Sequence, residues 1–401
     1  MHNKFILTNE IEQGNFLDII YTDFSKAFDK VSHRKLLAKL KAYGILGKPH
    51  VWIKSFLLER RQKIVLGEVS SEWEEVTSGV PQGSVLGPIL FVLYINDLLD
   101  LFKSPSLSYA DDLKLIGVFN KKTDSGSNEL QRDLEVLTDW ARLWSTELNI
   151  SKCKVMYLGK NRPKMEYVMS SIGGGLALRE SNEEKDLGVI VSNDLKWNKQ
   201  CVAAAAKANR VLGQIRSSFT YFNKGIMKPL YTALVRPHLE YAVSIWNPSS
   251  KTNVKILERV QRRATKMVKS LESRTYEDRL KSMDLQCLET RRIRGDLIEM
   301  FKIVNGIVNV NLSNGINYAK SLSLNLRRQH DSRLVRELCK KGSFRHNFLT
   351  NRVVSYWNEL PNSVITAKSV NSFKSRIDKQ VFRVNESSDC NGPSRAKRTK
   401  R

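Results

Sequence analysis

The sequence predicts an α+β chain in which a sheet-bearing first half gives way to a mostly helical second half. Three observations predict this. Strand-like apolar runs in the first half end in carboxylates, as in "FLDIIYTDF" (16–24) and "SLSYADDLKL" (106–115). Apolar residues at helical spacing recur between those runs and dominate beyond Trp197. Charge divides at the same place: residues 1–198 hold 26 Lys/Arg and 26 Asp/Glu, whereas 199–401 hold 40 and 15, so the whole formal charge of +25 lies in the second half.

Taken in order, Phe16–Phe24 is β-rich and apolar and reads as a buried strand ending near Asp23. Ser32 can cap a helix with Leu36, Leu37, Leu40 and Tyr43 on one face, stopped by Gly44. Pro49 opens a second helix through Trp52, Phe56 and Leu57. "QKIVL" and "WEEVT" read as a hairpin, and "SGVPQGSVLGP" is a Gly/Pro-rich loop before the apolar helix Ile89–Phe102. Ser106–Tyr109 and Leu113–Ile116 read as strands joined by a tight turn. Leu130, Leu134, Leu137, Trp140 and Leu143 share one face of a helix over 127–147. Strands Lys154–Leu158 and Leu187–Val191 flank a weakly ordered, Gly-rich segment, 160–184. Helices are then expected over Cys201–Phe219, Pro229–Trp246, Val254–Leu271 and Glu289–Val304. An Asn-rich loop over 303–319 and a basic stretch over 327–352 lead to small packed elements at "YWNELP" and "SFKSRIDKQVF". The tail "GPSRAKRTKR" is disordered by composition.

The 401 residues exceed one usual domain, and the 41% hydrophobic content supports a real core. The apolar "FIL" after Met1 is too short for a secretory signal, and Val85–Ile95 is too short to span a bilayer. Five Cys without a CxxC or a Cys/His cluster read as reduced intracellular thiols. The lopsided charge fits a polyanionic partner, because phosphate neutralisation supplies sequence-independent affinity. A solvated basic surface on a ribosome- or membrane-associated protein is the other reading.

Two adjacent carboxylates at a hairpin tip repel one another. If the strand ends carrying Asp23 and Asp111/Asp112 adjoin, three carboxylates converge, and such a cluster suits a hard divalent cation. Two ions at one site can activate an attacking hydroxyl and stabilise a leaving phosphate oxygen. A solvated Asx turn is the bland alternative, against which the apolar flanks argue.

In order and spacing, "YTDFSKAFDKVSH" (21–33), "SGVPQGSVLGPILFVLYINDL" (78–98) and "YADD" (109–112) resemble three palm motifs of reverse transcriptases. The wording is closest to jockey-like non-LTR retrotransposons (LINE elements). The likeness continues through "LNISKCKVMYLG" (148–159), "KDLGVIV" (185–191), "LYTALVRPHLEYAVSIW" (230–246) and "RVVSYWNELPNSVITAKSVNSFK" (352–374). It implies a right-hand polymerase palm, an antiparallel sheet with helices, followed by a helical thumb and C-terminal region. The expected boundaries are 1–198 for palm with partial fingers, 199–302 for thumb, 303–384 for a basic C-terminal region and 385–401 for the tail.

The resemblance implies an RNA-directed DNA polymerase working with two Mg²⁺ (or Mn²⁺), dNTP, an RNA template and a DNA primer. Asp23 and Asp111 match the metal-binding aspartates, Asp112 completes the pair, and the Phe24 carbonyl is a further ligand. Phe28 matches the bulky residue that rejects a 2′-hydroxyl, or else is a core Phe. Gln82 and Gly83 match the loop against the incoming nucleotide. Lys152 matches a lysine assigned to the leaving pyrophosphate, or else is a surface lysine. Leu187 and Gly188 match the turn gripping the primer end. Asp29 reads as scaffold behind the site and His33 as helix-start structure.

In the thumb, Lys207, Arg210 and Arg216 can reach phosphates, and a small Ala face on their helix would permit close approach. Their alternative is a solvated helix face. No membrane partner is expected, and "RAKRTKR" reads as nuclear import or a solvated tail, giving a nuclear and cytoplasmic location. The chain departs from the family pattern in placing only 22 residues before Asp23 and in lacking an endonuclease, ribonuclease H set or zinc knuckle. A truncated element copy with feeble activity, exposed apolar palm surface and poor solubility is the expectation. A non-catalytic RNA/DNA-binding remnant is the competing one, and a group II intron or telomerase-like relative is a third.

Overall fold

The first helix, α1 (His2–Glu12), is followed by the run "FLDIIYT", which forms strand β1 (Phe16–Thr22). The computed structural model describes residues 2–120, 126–159, 164–171, 174–310, 315–319, 332–339 and 344–380. It divides into two units, residues 13–182 and residues 1–12 with 183–401. The first of these ends at Asn182, and the described residues of 303–384 belong with the helices that precede them.

In the unit of residues 13–182, Ser32 caps α2 (His33–Ala42), its hydroxyl accepting the Lys35 amide, and α3 (Gly47–Leu57) follows. A two-tier hairpin comes next. Strands β2 (Arg61–Gln62) and β5 (Glu74–Glu75) pair below β3 (Val65–Leu66) and β4 (Val69–Ser70). Helix α4 (Leu86–Ile95) is shorter than the predicted apolar helix. Strands β6 (Ser106–Tyr109) and β7 (Asp112–Phe119), helix α5 (Gly126–Leu143) and strand β8 (Lys154–Leu158) complete the frame. The segment expected to be weakly ordered carries a hairpin, β9 (Val168–Ser171) with β10 (Gly174–Ala177), and strand β11 (Arg179–Glu180).

The five-stranded sheet runs β11-β8-β1-β7-β6, so β1 is central and antiparallel to both β7 and β8. β7 is buried as expected, but β6 is a half-exposed edge strand. One sheet face, with Ile20, Leu113, Leu115 and Val155, packs on Leu36, Leu40, Phe91, Tyr94, Leu130, Leu134, Leu137 and Trp140 from the helices. Burial on this scale is the main driving force for the unit. Leu143, predicted on the same stripe, is 67% exposed at the end of α5.

Inside this core the Lys39 ammonium lies 3.6 Å from the Trp144 ring centroid and donates to Asp97 (2.6 Å) and the Tyr94 carbonyl (2.5 Å). The stem is buried and the charge is answered, the condition under which a core lysine is tolerated. Apolar side chains also face outward: Val85 just before α4, Ile89 and Val92 along it, and Ile64, Leu66, Val69 and Trp73 on the hairpin.

In the second unit, β12 (Glu183–Asp186) and β13 (Val189–Ser192) form a hairpin ahead of α6 (Asn198–Ser218). The expected helix Pro229–Trp246 is broken into α7 (Lys224–Leu230), a π-helical turn Tyr231–Val235, α8 (Arg236–Glu240) and α9 (Val243–Trp246). Helices α10 (Lys251–Lys266), α11 (Tyr276–Met283) and α12 (Leu288–Val304) follow. The short helices α13 (Leu349–Arg352), α14 (Val354–Asn358) and α15 (Asn362–Ile365) precede α16 (Val370–Gln380). α6 packs on α10 through Cys201, Ala204, Ala205, Ala208 and Leu212. These small residues let two helices approach closely, so that part of the Ala face serves packing rather than contact with nucleic acid. Helix α1 joins this unit: Leu7 and Thr8 are buried, and Arg345 donates to the Thr8 hydroxyl at 3.4 Å.

A buried polar chain crosses the helical core. Tyr231 donates to Gln261 (2.7 Å), Gln261 donates to Tyr276 (2.9 Å), and Tyr276 donates to Glu258. Burial pushes the Glu258 carboxyl up to about 7, against the pull of the Tyr276 hydroxyl. A folded-state value above the unfolded one means stability present at acid pH and lost as pH rises toward 7. Between pH 5 and pH 8 the wild type should lose about 3 kcal/mol that Glu258→Gln does not lose. Melting curves of both proteins across that range measure the difference.

Candidate active site and nucleic-acid interface

Strand register brings the Asp23 and Asp112 positions to one end of the sheet. β1 pairs with β7 through Thr22↔Leu113, and continuing one residue sets Asp23 opposite Asp112. On the other side β1 pairs with β8 through Tyr21↔Lys154, and two further residues reach Lys152. Lys152 itself lies in the turn that precedes β8 rather than in a paired position. The Lys152 ammonium lies 3.4 Å from Asp23 Oδ2, with the side chains 67% and 38% exposed.

Asp111 sits in the two-residue turn between Tyr109 and Asp112, half-buried, after Ala110 at φ +53°. A positive φ at Ala is strained, and it fixes how the turn presents its carboxylate. Among the described residues, no group of three or more His, Cys, Asp or Glu is gathered as a metal site. Asp23 and Asp112 thus end neighbouring strands, with Asp111 in the adjoining turn, and the three carboxylates are not gathered on one point among the described residues. Like charges spread in this way, and Asp23 leans to the Lys152 ammonium.

The backbone around Asp23 is held independently of its carboxylate. The Asn149 amide donates to the Asp23 carbonyl (2.8 Å), Ser25 donates to Glu147 (2.7 Å), and the Asp23 amide donates to Cys153 Sγ (3.4 Å). Because residues 23 and 25 bond toward the 147–149 segment, the alternating backbone turns the Phe24 carbonyl to the β7 side. The Phe24 ring is buried, edge-on to Trp140. Burial pushes the Cys153 thiol up to about 11, which keeps it a neutral acceptor under Asp23. Its proximity to the site had no sequence signal beyond its place in "NISKCK".

The Gly/Pro loop is clasped to the segment after β1. Gly79 donates to the Val31 carbonyl (2.8 Å) and Val80 to the Phe28 carbonyl (2.9 Å). The Gly79 carbonyl accepts from Arg60 (2.8 Å) and lies 2.8 Å from His33 Nε2. Gly79 has φ +87°, and a Cβ there would come within 2.8 Å of the Asp29 backbone, so only glycine fits. Burial lowers the His33 pKa against the pull of the Gly79 carbonyl, and the charge of Arg60 adds to the lowering. Gln82 donates to the Asp29 carboxylate at 2.8 Å, which fixes the glutamine beside Gly83 at φ +82°. Asp29 thus braces Gln82, and His33 begins α2 while also bracing the loop. The parts played by Arg60 and Gly79 went unread in the sequence; the glycine spacing in "SGVPQGSVLG" was the available signal. Phe28, half-buried, stacks on Phe91 with centroids 4.5 Å apart.

In the other unit, Leu187 (φ +44°) and Gly188 (φ +84°) make the turn between β12 and β13. On α6, Lys207, Arg210 and Arg216 are all exposed. The "RAKRTKR" tail lies outside the described residues. No described helix is long and apolar enough to cross a membrane.

Comparison with known proteins adds the following. A family model described as reverse transcriptase (RNA-dependent DNA polymerase) matches residues 10–215. The probable RNA-directed DNA polymerase from transposon X-element of Drosophila melanogaster is 27% identical over 276 residues, covering 65% of this chain and 29% of that protein. The RNA-directed DNA polymerase from mobile element jockey of Drosophila funebris is 27% identical over 313 residues, covering 73% of this chain and 32% of that protein. The chain spans about a third of the length of these curated relatives. Among solved structures, apo telomerase from Candida tropicalis aligns at a TM-score of 0.39 and 11% identity, over 70% of this chain and 48% of that one. That resemblance is too slight to build on.

Proposed function

The chain belongs to the reverse transcriptase (RNA-dependent DNA polymerase) family, and on that premise we propose that it serves RNA-directed DNA synthesis in a jockey-like non-LTR retrotransposon. The reaction joins a deoxynucleotide to a primer 3′-hydroxyl along an RNA template. The observation that carries this reading is the register setting Asp23 opposite Asp112, with Asp111 in the adjoining turn and Lys152 in the turn that precedes β8. These carboxylates and the Phe24 carbonyl are hard oxygen donors, and Mg²⁺ favours one or two carboxylates with room left for substrate phosphate. Asp23, Asp111, Asp112 and Phe24 would hold the two ions, Mg²⁺ or Mn²⁺. When bound, such a pair activates the attacking hydroxyl and stabilises the departing phosphate oxygen.

The chain's own groups do the positioning. The Lys152 ammonium, 3.4 Å from Asp23, would neutralise or protonate the leaving pyrophosphate. The clasped loop presents Gln82 and Gly83 to the incoming dNTP with little freedom left to lose on binding. Phe28, held by Phe91, blocks a 2′-hydroxyl by its bulk. Phe28→Val should relax the preference for deoxy- over ribonucleotides by about tenfold to a hundredfold, the usual worth of one steric clash in a pocket. Competition between dNTP and rNTP in single-nucleotide extension reads that ratio.

The partners under this reading are an RNA template and a DNA primer, with work in the cytoplasm and, through the basic tail, the nucleus. Primer extension on an RNA template, with and without a supplied N-terminal fingers fragment, tests it. Metal-dependent extension supports the proposal. Salt-sensitive binding without extension in either arm would leave a nucleic-acid-binding remnant instead.

A further inference from the structure

The helical hairpin α2–α3 concentrates positive charge without a matching acid. Residues 30–58 hold seven Lys/Arg and no Asp/Glu, within a half of the chain whose formal charges cancel. Three of the seven are answered locally: Lys30 pairs with Glu147, Lys35 donates to Ser145 at 2.7 Å, and Lys39 is buried against Asp97. Arg34, Lys41, Lys48 and Lys54 are exposed and make no ion pair among the described residues.

Burial decides which side these cations occupy. Leu36 and Leu40 of α2 and Ile53 and Leu57 of α3 enter the same core, so the opposite ridge of each helix faces solvent. At helical spacing those ridges are Arg34, Ala38 and Lys41 on α2, and Lys48, Val51, Trp52 and Ser55 on α3, all exposed. Trp52 is 61% exposed, yet its ring stacks on Phe56 with centroids 5.9 Å apart and 19° between planes. The stack fixes the indole without burying it. Tyr43 and Leu46, between the two helices, are also exposed.

The hairpin stands as a braced arm. Arg60 donates to the Leu57 carbonyl at the end of α3 (3.1 Å) and to the Gly79 carbonyl (2.8 Å), from which His33 Nε2, at the start of α2, lies 2.8 Å. His50 Nε2 lies 3.1 Å from the Leu37 carbonyl and ties the helices midway. The turn with Tyr43 and Leu46 therefore lies about 15 Å out along α2. That length matches about four phosphates of one strand at roughly 3.4 Å each.

Exposed rings among unpaired cations are the chemistry of a single-stranded nucleic acid: bases stack on the rings, and phosphates meet the charges. A duplex hides its base faces and would leave Trp52 idle. A lipid surface is the poorer fit, because the outward ridge of α3 offers it only Val51 and Trp52, between Lys48 and Ser55. We infer that the α2–α3 hairpin is a docking site for an unpaired RNA strand, with Trp52 stacking a base and Lys41 and Lys48 meeting phosphates. The choice of RNA rests on the reading of the chain as one that copies RNA.

The test uses the full chain, without metal or dNTP, and follows the anisotropy of a fluorescein-labelled oligouridine. Oligothymidine, a blunt RNA–DNA hybrid and phosphatidylserine vesicles are the other arms. Trp52→Ala should lower oligouridine affinity about tenfold, the worth of one stacked base, with blunt-hybrid affinity unchanged, and Trp52→Phe should recover most of the loss. The double variant Lys41→Gln/Lys48→Gln should flatten the slope of log affinity against log salt by about 1.4, two phosphate contacts on a single strand. Equal oligouridine affinity and salt slope in wild type and variants would overturn the inference. So would tighter binding of oligothymidine, or a Trp52→Ala defect confined to vesicles. Primer extension on the same preparations keeps the readings apart: Trp52-dependent oligouridine binding without extension supports this site and counts against the polymerase reading alone.

Discussion

Asp23→Asn should cut metal-dependent primer extension by more than about a thousandfold while leaving the fold intact, since the carboxylate is the only thing changed where charge is gathered. Asn preserves the shape of Asp, and the anchors of this segment are backbone bonds: Asn149 to the Asp23 carbonyl, and the Asp23 amide to Cys153. The substitution removes the exposed ion pair with Lys152, worth at most about 1 kcal/mol. Activity and melting temperature measured on one preparation separate the two effects. Extension within tenfold of wild type would show that Asp23 holds no ion. Asp112→Asn, opposite in register, should follow Asp23→Asn, and Asp111→Asn in the turn should abolish extension as well.

The largest stability loss is expected from Arg352→Met, about 3–5 kcal/mol, because it strands a buried carboxylate. Arg352 grips Asp296 with two nitrogens, at 2.8 and 2.7 Å, and also donates to the Ser244 and Asn347 carbonyls. Asp296 is only 5% exposed and would keep only its bond from Asn247 among those described. One guanidinium thus joins α13, α12 and α9. Lysine cannot reproduce the fork and should recover less than half of the loss. Thermal melting should fall by roughly 10 °C for a unit of this size. The double variant with Asp296→Asn should be more stable than Arg352→Met alone, since the stranded charge is then removed.

Much of the frame around the candidate site was legible because its signals are local. A strand that ends in Asp, a two-residue turn between pairing runs, and Ser32 before a helix each announce themselves within a few residues. The residues of α5 that face the core were readable from spacing, up to Leu143. What escaped the reading depends on distant partners. Pro237 in "LVRPHLEYAVSIW" predicts at most a kink; the break after α8 goes with the Tyr241 bond to Leu187, 54 residues earlier. Likewise the alanines of α6 looked free until α10 claimed them, and Gln82 gave no sign of Asp29, 53 residues away. The paired strands over 168–177 lacked the alternating pattern that marks a half-buried sheet.

The unit formed by residues 13–182 is continuous in sequence, whereas the other is split by it. During translation the first can close as soon as its last strand emerges, but α1 waits for Arg345, 337 residues beyond Thr8. At cellular elongation rates that delay is roughly 20–70 s. A helix of 11 residues is too short to persist unaided in water. Helix α1 therefore docks only after most of its own unit has been made.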